Sequence, residues 1–348
     1  MSTLSQDEPH TDLPLPAEAE KQREKHFWER AVVVALLGLG VLVALGSALL
    51  SISHAPTPHE VPLAYVGPAE TAAALSQQAG QALDIRTYDS RDAAVTGIGR
   101  MEVYGALVVG PDGVELLKST ASAPQVASTL TTLVSQQSTA GTPTITEITP
   151  LPAGDSGGGS LAVMIQVTVL VGTIGSVGLG RLVPRYRANW TRGELPVLFL
   201  ALYALCVGAS MAGLSHAFGA GDHVHYWKLA LSLALVNLAV TASVSGLVCL
   251  IGSAGAAVGG ILYFLLGLPI SGAATALPLL PAFWRDFGQA LPPGAAATLL
   301  RRVLYFPDAP IGGPLLVLGL YAGIGVLVVG VVNLLAGAHH RNSLADLP

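Results

Sequence analysis

Six stretches of nearly uncharged, apolar sequence decide most of what this chain can become: residues 31–52, 161–183, 195–218, 229–251, 255–268 and 312–338. A helix needs about 20 apolar residues to cross ~30 Å of hydrocarbon. In lipid, every backbone amide also needs a partner within the protein, which a helix supplies from its own length. The pattern predicts an α-helical polytopic membrane protein of six transmembrane helices, in contact with membrane lipids, with both termini on one side. The run at 255–268 is the weakest, because it merges with its predecessor through 251–254 and stops at Pro269. The run at 31–52 is longer than the core of a signal peptide and no small-residue cleavage pattern follows it, so it reads as an uncleaved anchor. Composition agrees: 51% of the 348 residues are apolar and 11% charged, against roughly 25% charged in a typical soluble domain. The net charge of −5 supplies no basic patch able to neutralise several phosphates, which excludes nucleic acid as a partner.

Residues 1–30 read as a cytoplasmic tail that ends in a mixed-charge run holding Lys21, Arg23, Lys25 and Arg30, and 339–348 as a second tail. Between the first and second spans, residues 53–160 change to soluble character, with acids outnumbering bases and no cysteine. Strands are expected at 62–66, 85–88, 104–109, 114–117 and 144–148, with helices at 70–83, 90–98 and from Pro124, where Val126, Leu130, Leu133 and Val134 share a face. Pro111-Asp112-Gly113 is a turn between two of the strands. Strands alternating with helices make this an inserted α/β domain. Arg181, Arg185, Arg187 and Arg192 crowd the loop between the second and third spans. By the excess of basic residues in cytoplasmic loops, that loop and both termini are expected in the cytoplasm, which places 53–160 and the segment at 270–310 outside.

The stretch at 267–306 is organised differently from the spans around it. Pro269 disfavours helix at the preceding residue, and Ser271-Gly272 supplies a turn. Leu280, Phe283, Trp284, Phe287 and Leu291 then fall on one helical stripe, and Leu299, Leu300, Val303 and Leu304 on another, with Arg301 and Arg302 away from it. Each helix is too short and too charged to cross, so the pair is expected as an interfacial hairpin within a five-helix region at 161–338. It either lines a path, with Phe283, Trp284, Phe287, Arg301 and Arg302 at its mouth, or covers neighbouring helices.

Several motifs invite chemistry. Gly154-Asp155-Ser156-Gly157-Gly158 copies the nucleophile signature of trypsin-like proteases, but it sits in a glycine linker with no two-barrel chain before it. Asp222, His223 and His225 are weak candidates for a metal, with no second shell in the sequence. No catalytic residue and no cofactor is expected. Gln166, Asn237 and Asn333 are the polar groups inside the spans and read as ties between helices. Gly255 with Gly259, and Gly319 with Gly323, each place glycines one turn apart, a pattern for close helix packing within the bundle or across a dimer.

Ser90 to Gly110, SRDAAVTGIGRMEVYGALVVG, and the text GLPISG…LLPAFWRDFGQALPPGAA…LRRVLYF, in a layout of one span, a large insert and five more spans, resemble the type-2 ABC-transporter permeases. The branch is that of the YhgE/Pip-like membrane proteins, in an actinobacterial form. The resemblance implies a permease bundle in the plasma membrane that pairs as a homodimer, works with a separate ATPase docked on the loop of Arg181, Arg185, Arg187 and Arg192, and exports lipid-like or amphipathic substrates. It implies as alternative a scaffold, secretion accessory or receptor whose external domain binds a protein or cell-envelope partner.

Overall fold

The computed structural model of the chain describes residues 28–50 apart from 30, 34, 37, 44 and 48, and then 59–110, 113–137, 143–182 and 194–345. It divides into two units, Met1–Ser51 and Ile52–Pro348. The first contains an apolar helix, α1 (Ala31–Ser47), along which Val32, Leu36, Leu39 and Leu42 are exposed.

The second unit begins with an α/β lobe: β1 (Val61–Val66), α2 (Ala69–Ala79), β2 (Leu83–Thr87), α3 (Arg91–Gly99), β3 (Gly105–Gly110), β4 (Gly113–Lys118), α4 (Pro124–Gln137) and β5 (Thr144–Glu147). The strands form one five-stranded sheet in the order β2-β1-β3-β4-β5. β1 pairs in parallel with β2 and β3, β3 meets β4 antiparallel with Gly110 opposite Gly113, and β4 runs parallel to β5. Local chemistry sets several boundaries. Ser90 caps α3, its Oγ accepting from Ala93 N at 3.1 Å, and Gly113 takes the φ of +120° that leads into β4. The two sheet faces bury separate clusters. Val61, Leu63 and Leu116 pack under α4 through Val126 and Leu130, while Ala64, Ala106 and Leu117 pack under α3 through Ala94 and Ile98. Each fully buried leucine stabilises the lobe by about 1.5–3 kcal/mol in transfer terms. Arg91 on α3 clasps Glu115 on β4 through Nε and Nη2, both at 2.9 Å, and the Thr146 hydroxyl donates to the same carboxylate at 2.7 Å.

Helices make up the rest: α5 (Ser160–Leu182), α6 (Glu194–Ala217), α7 (Tyr226–Ile251), α8 (Ser253–Gly259) running into a π-helix (Gly260–Gly267), α9 (Ala282–Ala290), α10 (Pro292–Tyr305) and α11 (Gly312–Ala345). Among the described residues four helices, within α5, α6, α7 and α11, are long and apolar enough to cross a membrane. Of the six expected crossings, four are thus shown as helices of spanning length among the described residues. α1 and the α8–π segment are shorter. The second has a clear cause: Gly252, at φ +68°, ends α7, and Pro269 stops the return helix after the 7 residues of α8 and the 8 of the π-helix. At 1.5 Å per residue that is about 22 Å, short of the ~30 Å core.

α7 is the hub. Leu229, Leu233, Val236, Asn237, Ala239, Val240, Thr241 and Val244 are all fully buried, because α5, α6, α8, α10 and α11 each pack against it. Small residues allow the approach. An added Cβ on Gly208 of α6 would lie 2.6 Å from Ala234 N, and one on Gly325 of α11 would lie 2.5 Å from Ser243 N. Asn237 ties α7 to α5, its Nδ2 donating to Thr168 O at 3.1 Å, and the Ser176 hydroxyl returns the link to Thr241 O at 2.9 Å.

Contacts mark one end of this bundle as the lobe end. Tyr305 OH donates to Asp155 Oδ2 at 3.4 Å and His223 Nε2 to Leu304 O at 2.7 Å, bringing the start of α5, the α6–α7 loop and the end of α10 together. α5, 23 residues long and so about 34 Å, starts from this end.

Candidate functional site

The lobe end is closed by the segment at 268–281 together with α9 and α10. Its sequence allows no more than one 3-10 turn, Leu277–Leu279: Pro269, Pro278 and Pro281 lack amide hydrogens, and Gly272 sits at φ +82°. Buried backbone without a ladder needs other partners, and side chains supply them. Arg301 Nη2 donates to Gly272 O at 2.8 Å and to Ala273 O at 3.3 Å. Gln289 Nε2 donates to Ser271 O at 3.0 Å and is itself braced by the Thr298 hydroxyl at 2.6 Å. From the lobe, Gln125 donates Nε2 to Ala274 O at 3.2 Å and accepts from Ala276 N at 3.3 Å.

α10 departs from the expected rim helix. Twelve of its 14 residues are buried, Arg301 among them, and Leu299, Leu300, Ala296 and Ala297 belong to the same core as α5 and α7. The predicted stripe is right, but the helix inserts into the bundle's end, and Arg301 points inward because carbonyls of the irregular segment receive its guanidinium. Among the described residues no carboxylate bonds to Arg301. Burial pulls its pKa down, with Tyr104 and Tyr305 acting the other way. Arg302 Nη1 donates to Pro310 O, and its Nε is buried with no partner among the described residues. Burial pushes the Tyr104 phenol up while Arg301, Arg285 and Arg302 oppose that rise.

α9 carries the aromatic edge. Phe283 and Phe287 stack at 5.9 Å between centroids, and Trp284 meets Phe283 edge-on at 5.0 Å. Phe283 is 68% exposed, whereas Trp284 and Phe287 are half-buried against the bundle core. Two glycines set the α9–α10 crossing. A Cβ on Gly294 would fall 2.7 Å from the Gly288 carbonyl carbon, and one on Gly288 would fall 3.0 Å from that of Ile270.

The remaining candidates fall in separate places. His223 stacks on Tyr305 at 6.2 Å, and His223, His225 and Lys228 line a cavity of about 470 Å³ with Leu151 and Tyr305. Among the described residues no group of three or more His, Cys, Asp and Glu is placed to hold an ion, around Asp222, His223 and His225 or elsewhere. Both ring nitrogens of His216 lie against carbonyls, of Ala212 at 2.9 Å and Val224 at 3.1 Å. Asp155 of the protease-like motif accepts from Gly159 N and Ser160 N at the start of α5, at 3.0 and 3.2 Å, while Ser156 is exposed. The motif is a helix cap. Gly255 and Gly259 press on α7 at Leu247 and Val244, but nothing lies within 4 Å of a Cβ on Gly319 or Gly323. That second glycine pair faces away from the bundle, and Gly325 is the close contact of α11. Arg185, Arg187 and Arg192 lie outside the described residues, as does the side chain of Arg181.

The sequence signals that went unread are Gln125, Gln289, Gly288 and Gly294. Two glutamines beside apolar stripes and two glycines flanking Pro292-Pro293 mark places where backbones meet. No protein family, curated protein or solved structure matches the chain.

Proposed function

We propose that this protein is the non-catalytic transmembrane subunit of an export-type system in the plasma membrane, working with a separate ATPase on lipid-like or amphipathic substrates. One observation carries the reading: the α8–π helix breaks off before spanning length, and its irregular continuation is held by a buried arginine. Discontinuous helices whose unwound backbone is satisfied by protein groups are the usual substrate and gating elements of transporters, and π-helical turns concentrate at functional sites. The lobe, with 53–160, and the 270–310 hairpin lie outside in this reading. The arginine-rich loop at the far end of α5 faces the cytoplasm with both termini, α1 and the α8–π segment complete the crossings, and the outward Gly319–Gly323 face serves a homodimer.

Purification from native membranes tests it. A co-purifying ATPase whose turnover drops several-fold in the Arg185→Ala/Arg187→Ala double variant supports the reading. Preparations free of any ATPase that retain the cellular function overturn it. The second reading, a scaffold or receptor, draws on a different observation: α10 fills the lobe end of the bundle, and a scaffold needs no path there. In that case Trp284→Ala and Phe287→Ala reduce the amount of folded protein without a selective loss of function.

A further inference from the structure

The lobe contains a cleft that the hairpin segment touches only through Leu279. It lies between α2 and α4 on the sheet face of Leu63 and Leu116, with a volume of about 300 Å³. Its origin is in the sequence. α2 sets Leu75 and Ala79 on the cleft, Ala82 follows before β2, and two alanines cannot fill the space that larger side chains would occupy at native packing density. As a result Leu107 on β3, the central strand of the sheet, is only half-buried, and Leu75, Leu83 and Val134 share that state. Leu133 at the rim is 42% exposed. Central-strand leucines are normally among the most enclosed residues of such a sheet.

We propose that this cleft binds one acyl chain of a membrane amphiphile. Its lining has no charged group, and the polar side chains on it are Gln78 and Thr129. Thr129 spends its hydroxyl on Gln125 O at 2.9 Å, which leaves its methyl for the cleft. One end of the cleft is formed by Leu279, from the irregular segment that joins the apolar α8–π helix to α9, so the cleft begins where the spanning part of the chain ends. From Val61 it extends along the sheet to Leu107, which is level with Tyr65. Four residues of strand are about 13 Å, the reach of roughly ten bonds of an extended chain at about 1.2 Å each. The volume is at the lower limit for ligand sites and suits one chain rather than two. Beyond Leu107, on the same face and toward the carboxyl ends of β1 and β3, the Tyr65 hydroxyl is buried with no hydrogen-bond partner among the described residues. That is the point where strand order reverses in the sheet, the usual ligand position in open α/β sheets. A chain entering from Leu279 would run toward it. The site serves an exporter or a receptor equally and does not rest on the transport reading.

The test uses the full-length protein in lipid nanodiscs with a diazirine-labelled dodecanoate, without any ATPase. Photolabelling mapped by mass spectrometry is expected on peptides of α2 and α4, with at least a five-fold loss on adding excess unlabelled dodecanoate. Ala79→Leu fills the cleft and is expected to remove the same labelling while the lobe's thermal transition stays level or rises. Ala73→Leu, on the exposed side of α2, keeps the labelling and controls for the substitution itself. Competition by lysophosphatidylcholine as strong as by dodecanoate assigns the chain to a phospholipid, and competition by dodecanoate alone assigns it to a free fatty acid. Labelling confined to α5, α6, α7 and α11, or labelling of α2 and α4 that Ala79→Leu leaves intact, overturns the proposal.

Discussion

Gly325→Ala against Gly319→Ala separates a buried helix seam from an open one on the same helix. A methyl on Gly325 would sit 2.5 Å from Ser243 N and 2.6 Å from Ala242 O, and restoring ordinary contact at about 3.4 Å forces α11 back by about 1 Å. Overpacking of that kind costs about 1–3 kcal/mol, and it loosens Leu318, Ala322 and Val329, which α11 buries in the bundle. At Gly319 an added Cβ meets nothing within 4 Å, so no such cost arises. Both changes gain the same helix propensity, about 1 kcal/mol in water, and the difference between the variants isolates packing. Reversible unfolding in mixed micelles should place Gly325→Ala about 1–3 kcal/mol below Gly319→Ala, with Gly323→Ala beside the latter. Equal destabilisation at Gly319 and Gly325 would refute the reasoning, because the outward face would then be as tightly packed as the inward one.

Asp155→Ala removes the carboxylate that accepts from the first amides of α5 and should cost about 0.5–2 kcal/mol, while Ser156→Ala changes neither stability nor function in the same unfolding and cellular assays. Asn237→Ala breaks the α5–α7 tie and should cost about 0.6 kcal/mol, with about 1.7 as the upper bound for such bonds in membranes. The Arg91 guanidinium holds the Glu115 carboxyl below its ordinary range, chiefly by hydrogen bonding. A depressed folded value contributes stability that is complete above the ordinary carboxylate pKa of about 4.3 and is lost as pH falls through the folded value. Site-resolved NMR titration should show Glu115 rising toward that ordinary value in Arg91→Ala, and an unchanged titration would count against the clasp.

Strand positions were legible in the sequence because a sheet covered on both faces is built from short apolar runs bounded by turn residues: all five observed strands begin and end within two residues of the expected ones. Apolarity marked α5, α6, α7 and α11, because a helix of spanning length keeps nearly uncharged residues throughout. The burial of α10 was not legible. Arg301 and Arg302 made it look like a surface helix, and the carbonyls that accept Arg301 lie 28 and 29 residues earlier in the chain, a relation that no local window contains. Glycine spacing had a similar limit. Gly255–Gly259 and Gly319–Gly323 read alike, but which side of a helix meets its neighbour depends on how it is rotated in the bundle, and a spacing of four does not encode rotation.

Gln125 fastens the lobe to the same short strip of backbone that Arg301 and Gln289 fasten to the bundle. The strip works as a shared tendon. A pull on the lobe that shifts α4 must either snap two amide links or drag on a guanidinium seated among the helices. Force applied to the lobe is thereby delivered to the end of the helical bundle.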